Sequence, residues 1–277
     1  MASHRRLRFR LLLLAATLAA AAAAVAGVEE EEAFCGVESM PDAATLRPDR
    51  LTVLLSGYSE RRLPLLRAIA GAYAAHPLVL AVVVLWSNPS TPDSLLSSFP
   101  PAVTLHRTAS ASLNSRFLPH PSIRTAAVAV ADDDLLVLGA GLLREYSCSP
   151  ELAAARAVVD RERNCEDILM NFVAAEESGE GPVLVEAGSI RDWGDPRNDD
   201  ADAGAGAGGE EMKAVGLSST GGAAQWEKRG DCITEFHRLL GRMPLRYSYG
   251  KVVAAAGGEQ ALCSKRGRLV RCDQELL

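Results

Sequence analysis

Three consecutive carboxylates, Asp132, Asp133 and Asp134, follow the apolar run Val128 to Ala131 and give way at once to a second apolar run, Leu135 to Leu138. Carboxylate oxygens set this close are hard ligands for Mg2+ or Mn2+, ions that keep coordination positions open for a substrate's diphosphate. Such an ion offsets the charge that develops on a departing nucleoside diphosphate. An acidic solvated turn is the commoner use of three acids in a row, and the residues alone leave both readings standing. A second acidic group lies in Asn164-Cys165-Glu166-Asp167, just ahead of the helix-spaced Ile168, Leu169, Phe172 and Val173. Asp167 there either complements the positive end of a helix dipole or is a carboxylate aimed at a reacting carbon, orienting a hydroxyl or stabilising positive charge. Arg116 and Arg229 offer forked donor sets that suit phosphate oxygens. His237 fits a packed or surface position better than a base, and Trp86 and Trp193 fit either stacking on a ligand or the core.

These groups need a frame. LTVLLSGYS from Leu51 reads as a strand, RRLPLLRAIAGAYAAH has helical spacing, and LVLAVVVLW is a second strand, together a βαβ unit. Near-continuous Val and Leu, rather than alternation, predicts a parallel sheet covered on both faces. A short helix follows the loop SNPSTPDS, AVTLH is a third strand and TAAVAVA a fourth. The aspartates therefore sit at a strand's carboxyl end, where open α/β sheets bind ligands. Beyond them, PELAAARAVVDRERNCEDILMNFVAAEE predicts one or two helices, VLVEAG a strand, and CITEFHRLLGRM a helix stopped at Pro244. NDDADAGAGAGGEE has too little apolar mass to pack and reads as a mobile surface loop. CSKRGRLVRC reads as a hairpin that a Cys263 to Cys272 bridge would clamp.

The chain has 277 residues, 48% hydrophobic and 23% charged, enough for one substantial core and a further lobe. A formal charge of −6 gives no basic field to gather nucleic acid. MASHRRLRFR carries five Arg or His residues, and Leu11 to Val28 then runs eighteen residues without a charge. Residues 1–28 are thus a signal anchor or a signal peptide, with Ala24-Val25-Ala26 before Gly27 as a cleavage sequence. Either way the remainder faces the lumen: a stem at 29–50, then the folded domain. All six cysteines, 35, 148, 165, 232, 263 and 272, lie in that lumenal part. None forms a CxxC pair, so structural disulfides are expected rather than zinc, with the fifteen pairings undecided by sequence.

Taken in order, LTVLLSGYSE, VVVLWSNPSTPDSLL, SLNSRFLP, AVADDD, RNCEDILMNFVAA, RDWGDPRND, KRGDCITEFHRLLGRMPL and YSYGKVV resemble the exostosin-like family 64 glycosyltransferase domain. Within it they are most similar to the plant branch that mannosylates glycosylinositol phosphorylceramides in the Golgi. The resemblance runs over residues 51–273 and implies an α/β, GT-A type fold with a Rossmann-like mixed sheet and helices on both faces. It implies a donor-binding half over 51–134 and an acceptor and catalytic half over 145–273. It also implies a Golgi membrane enzyme of type II orientation, or a secreted lumenal one after cleavage. The implied activity is Mn2+- or Mg2+-dependent, retaining transfer of mannose from GDP-mannose to a glycosylated sphingolipid. A UDP-sugar such as UDP-GlcNAc is the alternative donor. Carried over residue by residue, Asp134 matches the principal metal ligand. Asn88, Arg116, Asp132, Asp133 and Arg229 match donor contacts, and Asp167 matches the catalytic carboxylate. Cys165 and Cys232 match a disulfide that would tie the helix bearing Asp167 to the segment bearing Arg229.

Three departures from the family pattern stand out. Gln225 replaces a histidine, and AGAGAGGEEMKAV is longer and richer in glycine than in relatives. The third is larger: only eleven residues, Leu135 to Glu145, occupy an interval where relatives have several dozen. Eleven residues cannot supply a helix and two strands, since a parallel crossover alone takes about a dozen. The expectation is an incomplete fold with unpaired edges and exposed apolar faces. Such a chain would be an aberrant transcript product or an inactive, truncated paralogue.

Overall fold

The computed structural model describes residues 34–36, 42–131, 135–186, 222–248, 250–253, 262–265 and 268–271. Residues 1–28, Asp132 to Asp134, Trp193, the glycine-rich tract and Cys272, all singled out above, lie outside the described residues. The chain divides into two compact units, Met1–Glu166 and Asp167–Leu277. Among the described residues no helix is long and apolar enough to cross a membrane.

In the first unit β1 (Arg47–Gly57), α1 (Leu63–Ala74), β2 (Val79–Trp86), α2 (Asp93–Leu96), β3 (Val103–Arg107), β4 (Thr125–Ala131), β5 (Leu135–Gly139), α3 (Ala140–Cys148) and α4 (Ala153–Glu162) follow one another. Five strands form one sheet in the order β3-β2-β1-β4-β5. The first four are mutually parallel, and β5 runs antiparallel to β4. This is a mixed α/β arrangement with a mostly parallel central sheet flanked by helices. Val53, Leu55, Val82, Val84, Ala129 and Ala131 project from one face, where Leu66, Ile69, Ala70 and Tyr73 of α1 pack on them. The intervening Leu54, Val83, Leu85, Val128 and Val130 are buried as well, and α3 packs on β4. Burial on both faces is the reason these strands read as unbroken apolar runs.

Gly57 marks where β1 leaves the sheet. A Cβ there would stand 2.7 Å from both Leu66 Cδ2 and Trp86 Cε3, so only glycine lets helix, strand and indole close up. Among the described residues the sheet ends at β5, whose Val137 is exposed. The eleven-residue interval therefore supplies one edge strand and the opening of α3, where the resemblance leads one to expect a helix and two strands.

The second unit contains α5 (Glu166–Ser178, its first residue belonging to the first unit), β6 (Val183–Glu186), α6 (Gly222–Leu240), β7 (Gly250–Val253), β8 (Leu262–Lys265) and β9 (Arg268–Arg271). Leu169, Met170, Phe172 and Phe236 are fully buried, and the Phe172 and Phe236 rings meet edge to face at 5.7 Å. The helix expected to stop at Pro244 ends earlier. Gly241, at φ +67, takes the left-handed conformation and its N–H bonds to the His237 carbonyl at 2.9 Å.

Among the described residues strands β6 and β7 pair only with each other, in parallel. Val183, Leu184 and Val185 are 60%, 58% and 68% exposed. Successive residues of a strand point to opposite faces, so β6 exposes apolar side chains on both of its faces. Two strands without a covering layer do not make a stable sheet of their own. The tail is the expected hairpin, β8 antiparallel to β9, with Cys263 opposite Val270.

Candidate nucleotide-sugar site

In the first unit the strand order reverses at β1, with β2 and β3 to one side and β4 to the other. Ligands of open parallel sheets bind outside the carboxyl ends of the strands at such a switch point. Leu55 is level with Ala131 and Gly57 with Trp86, so the ends of β1, β2 and β4 open on one edge. Ala131 pairs with Leu135, and the three residues between them are Asp132, Asp133 and Asp134.

Asn88 lies just past β2 at the same edge. Its Nδ2 donates to the Tyr58 carbonyl at 3.3 Å and its Oδ1 accepts the Ser90 N–H at 3.0 Å. Its own carbonyl accepts the indole N–H of Trp86 at 3.1 Å. Trp86 is thus a buried structural residue that braces the Asn88 loop, which decides between the two roles left open for it. Exposed Tyr58, directly after Gly57, adds an aromatic face at the edge. Its signal in the sequence was only its place after the strand-ending Ser-Gly.

Arg116 sits in a short 3-10 helix, Leu113–Phe117, and forms an ion pair with Glu166 at 2.8 Å. The two side chains are only 11% and 10% exposed, so the charge of the guanidinium is matched inside the fold. The 3-10 helix is held at its other end by Asn114, which accepts the buried Tyr146 hydroxyl at 2.5 Å and donates to Asp160 at 3.0 Å. Burial drives the Tyr146 hydroxyl pKa well above the ordinary tyrosine value. Glu166 was a neighbour of the candidate acid in the sequence, and nothing in the spacing marked it as the partner of Arg116.

In the second unit Asp167 and Arg229 face each other through a fork. Arg229 Nη1 donates to Asp167 Oδ1 at 3.2 Å and Nη2 to Oδ2 at 2.6 Å. With side chains 22% and 30% exposed, both remain reachable from solvent. Asp167, near the start of α5, and Arg229 thus form one bidentate pair. Cys165, just ahead of α5, holds a φ of 75, and Arg163, the C-cap of α4, is left-handed at φ 50. Such backbone is costly for non-glycine residues and clusters where geometry matters. His237 carries no charge partner in the geometry above and lies exposed on α6.

Cys35 and Cys148 form a disulfide across 113 residues, which settles one of the pairings left open. Cys165 and Cys232 are both buried, and neither is a free thiol. Among the described residues no cluster of three or more His, Cys, Asp or Glu could hold a metal.

A mostly parallel sheet with helices on both faces, switched at β1 and with acids following β4, is the GT-A-like plan of nucleotide-sugar transferases. The chain belongs to glycosyl transferase family 64, whose domain model matches residues 51–148 and 137–256. It is 38% identical over 307 aligned residues to Glycosyltransferase family protein 64 C3 of Arabidopsis thaliana, covering 87% of this chain and 91% of that protein. It is 32% identical over 101 residues to Glycosylinositol phosphorylceramide mannosyl transferase 1 of the same plant, covering 36% of this chain and 24% of that protein. The family model matches in two pieces that meet at the short junction. The first alignment is longer than the whole chain, so it opens gaps opposite the relative.

Proposed function

We propose that this glycosyltransferase binds GDP-mannose in the Golgi lumen and serves retaining mannosylation of a glycosylinositol phosphorylceramide. The observation that carries the reading is the forked Asp167–Arg229 pair in a family 64 chain, because it joins a carboxylate and a phosphate-binding guanidinium in one unit. The partial likeness to a mannosyl transferase of that lipid class supports the choice of sugar and acceptor. The N-terminal apolar segment supports a membrane-anchored, lumenal placement.

Asp132, Asp133 and Asp134 would hold Mn2+ or Mg2+, with Asp134 the principal ligand; when bound, the ion offsets charge on the leaving diphosphate. Asn88 and Arg116 contact the nucleotide. Arg229 donates to a phosphate oxygen, and Asp167 orients the acceptor hydroxyl or stabilises the positive sugar carbon as the bond to GDP breaks. The acceptor oxygen bonds that carbon on the face the diphosphate leaves, and its proton departs with the leaving group or solvent. Release of GDP from GDP-mannose in Mn2+, abolished by Asp134→Asn, tests the assignment, and unchanged turnover in the variant refutes it. Preference for UDP over GDP in competition would move the donor to a UDP-sugar.

A second reading is that donor binding survives while transfer is lost. It is favoured by the two-piece family match, the edge position of β5 among the described residues and the exposed apolar side chains of β6. Inserting between Asp134 and Leu135 the segment of several dozen residues that the family resemblance leads one to expect there separates the two. On this reading the insertion lowers binding of a hydrophobic dye and creates transfer. Equal transfer with and without it supports the first reading.

A further inference from the structure

We propose that Arg107 is a positioning residue that presets the Asn88 loop for the nucleotide, an inference that rests on the reading of Asn88 as a donor contact. Arg107 is the last residue of β3 and lies level with Trp86. Its guanidinium reaches over the loop that leaves β2. Nη2 donates to the carbonyls of Pro89 at 3.1 Å and Thr91 at 2.8 Å, and Nη1 donates to the carboxylate of Asp93. One side chain thus gathers three acceptors from a loop of five residues, Pro89 to Asp93.

The loop needs an outside donor. Pro89 and Pro92 have no N–H, so the segment cannot brace itself with a regular ladder of backbone bonds. Thr91 is nonetheless fully buried, and its hydroxyl has no hydrogen-bond partner among the described residues. The middle of the loop is therefore pressed into the fold while its polar groups are only partly satisfied, a state that is kept only if something else fixes the chain. Arg107 does so from one side and the Trp86 indole from the other, through the Asn88 carbonyl.

Asp93 is almost fully exposed, so its ion pair adds little to stability. The geometric work falls on the two carbonyl contacts, both made by Nη2 while Nη1 holds Asp93, so the planar guanidinium fixes the directions of all three bonds, which a freely rotating lysine ammonium does not. With the loop preset, nucleotide binding does not have to order it, and that saving appears as affinity.

The test uses the full chain with GDP and Mn2+, by calorimetric titration and by amide hydrogen exchange over residues 87–93. Arg107→Gln is expected to weaken GDP about tenfold, to add no further loss in an Asn88→Ala background, and to speed exchange at Ser90 and Thr91 while β1 and β2 stay protected. Arg107→Lys should fall between wild type and Arg107→Gln. Unchanged exchange in Arg107→Gln overturns the proposal whether or not GDP binds. Faster exchange with unchanged GDP affinity overturns the link to the nucleotide. Absence of GDP binding by the wild type overturns the donor reading of Asn88, and with it that link, while the exchange result still decides what holds the loop.

Discussion

Arg229 holds both carboxylate oxygens of Asp167, with Nη1 3.2 Å from Oδ1 and Nη2 2.6 Å from Oδ2. The pair joins positions 62 apart in sequence and is open to solvent on one side. Partly exposed ion pairs contribute about 1 kcal/mol or less to stability, so the fork's use is geometric. Asp167→Asn is expected to shift the urea unfolding free energy by under about 1 kcal/mol while removing any sugar transfer at least about a hundredfold. Loss of folding in that variant would mark the pair as structural instead.

The buried pair behaves in the opposite way. Removing one member of Arg116–Glu166 strands a charge in the interior, and Glu166→Gln or Arg116→Met should each cost about 3–5 kcal/mol by denaturant titration. The double substitution should cost less than the sum of the two. Additive costs would show that the groups do not depend on each other.

Cys35–Cys148 ties the segment ahead of β1 to the end of α3 across 113 residues. Loss of that cross-link in Cys35→Ser/Cys148→Ser should lower stability by about 2–4 kcal/mol. The check is the thermal midpoint of the double variant against wild type under non-reducing conditions.

His120 is buried among Phe34 and His106, and burial, with repulsion from His106, lowers its pKa from 6.5 to about 4. Its Nδ1 accepts the Ser122 N–H at 3.1 Å, a bond that protonation would break. The unfolded chain takes up this proton near 6.5 and the folded chain only near 4, so the contribution is intact above about pH 6.5 and is lost as pH falls toward 4. Urea midpoints of wild type and His120→Gln should diverge least at pH 4.5 and most at pH 7.

Much of the first unit could be read from residue types. Val and Leu without interruption in β1 and β2 gave away strands buried on both faces. The partners of Asp167, Arg116 and Cys35 could not be read, because each contact closes over tens of residues and no local spacing encodes it. The end of α6 was missed by three residues because Pro244 is the louder signal, while Gly241 does the work by adopting a left-handed turn. The antiparallel β5 was hidden in an apolar run whose length matched no complete crossover.

GDP titrated into the full chain, with Mn2+ and without it, in wild type and in Asp134→Asn, tests the central claim most directly. The account predicts binding that requires the metal, exceeds that of UDP and disappears in Asp134→Asn. Binding that ignores both the metal and the substitution, or no nucleotide binding at all, would contradict it.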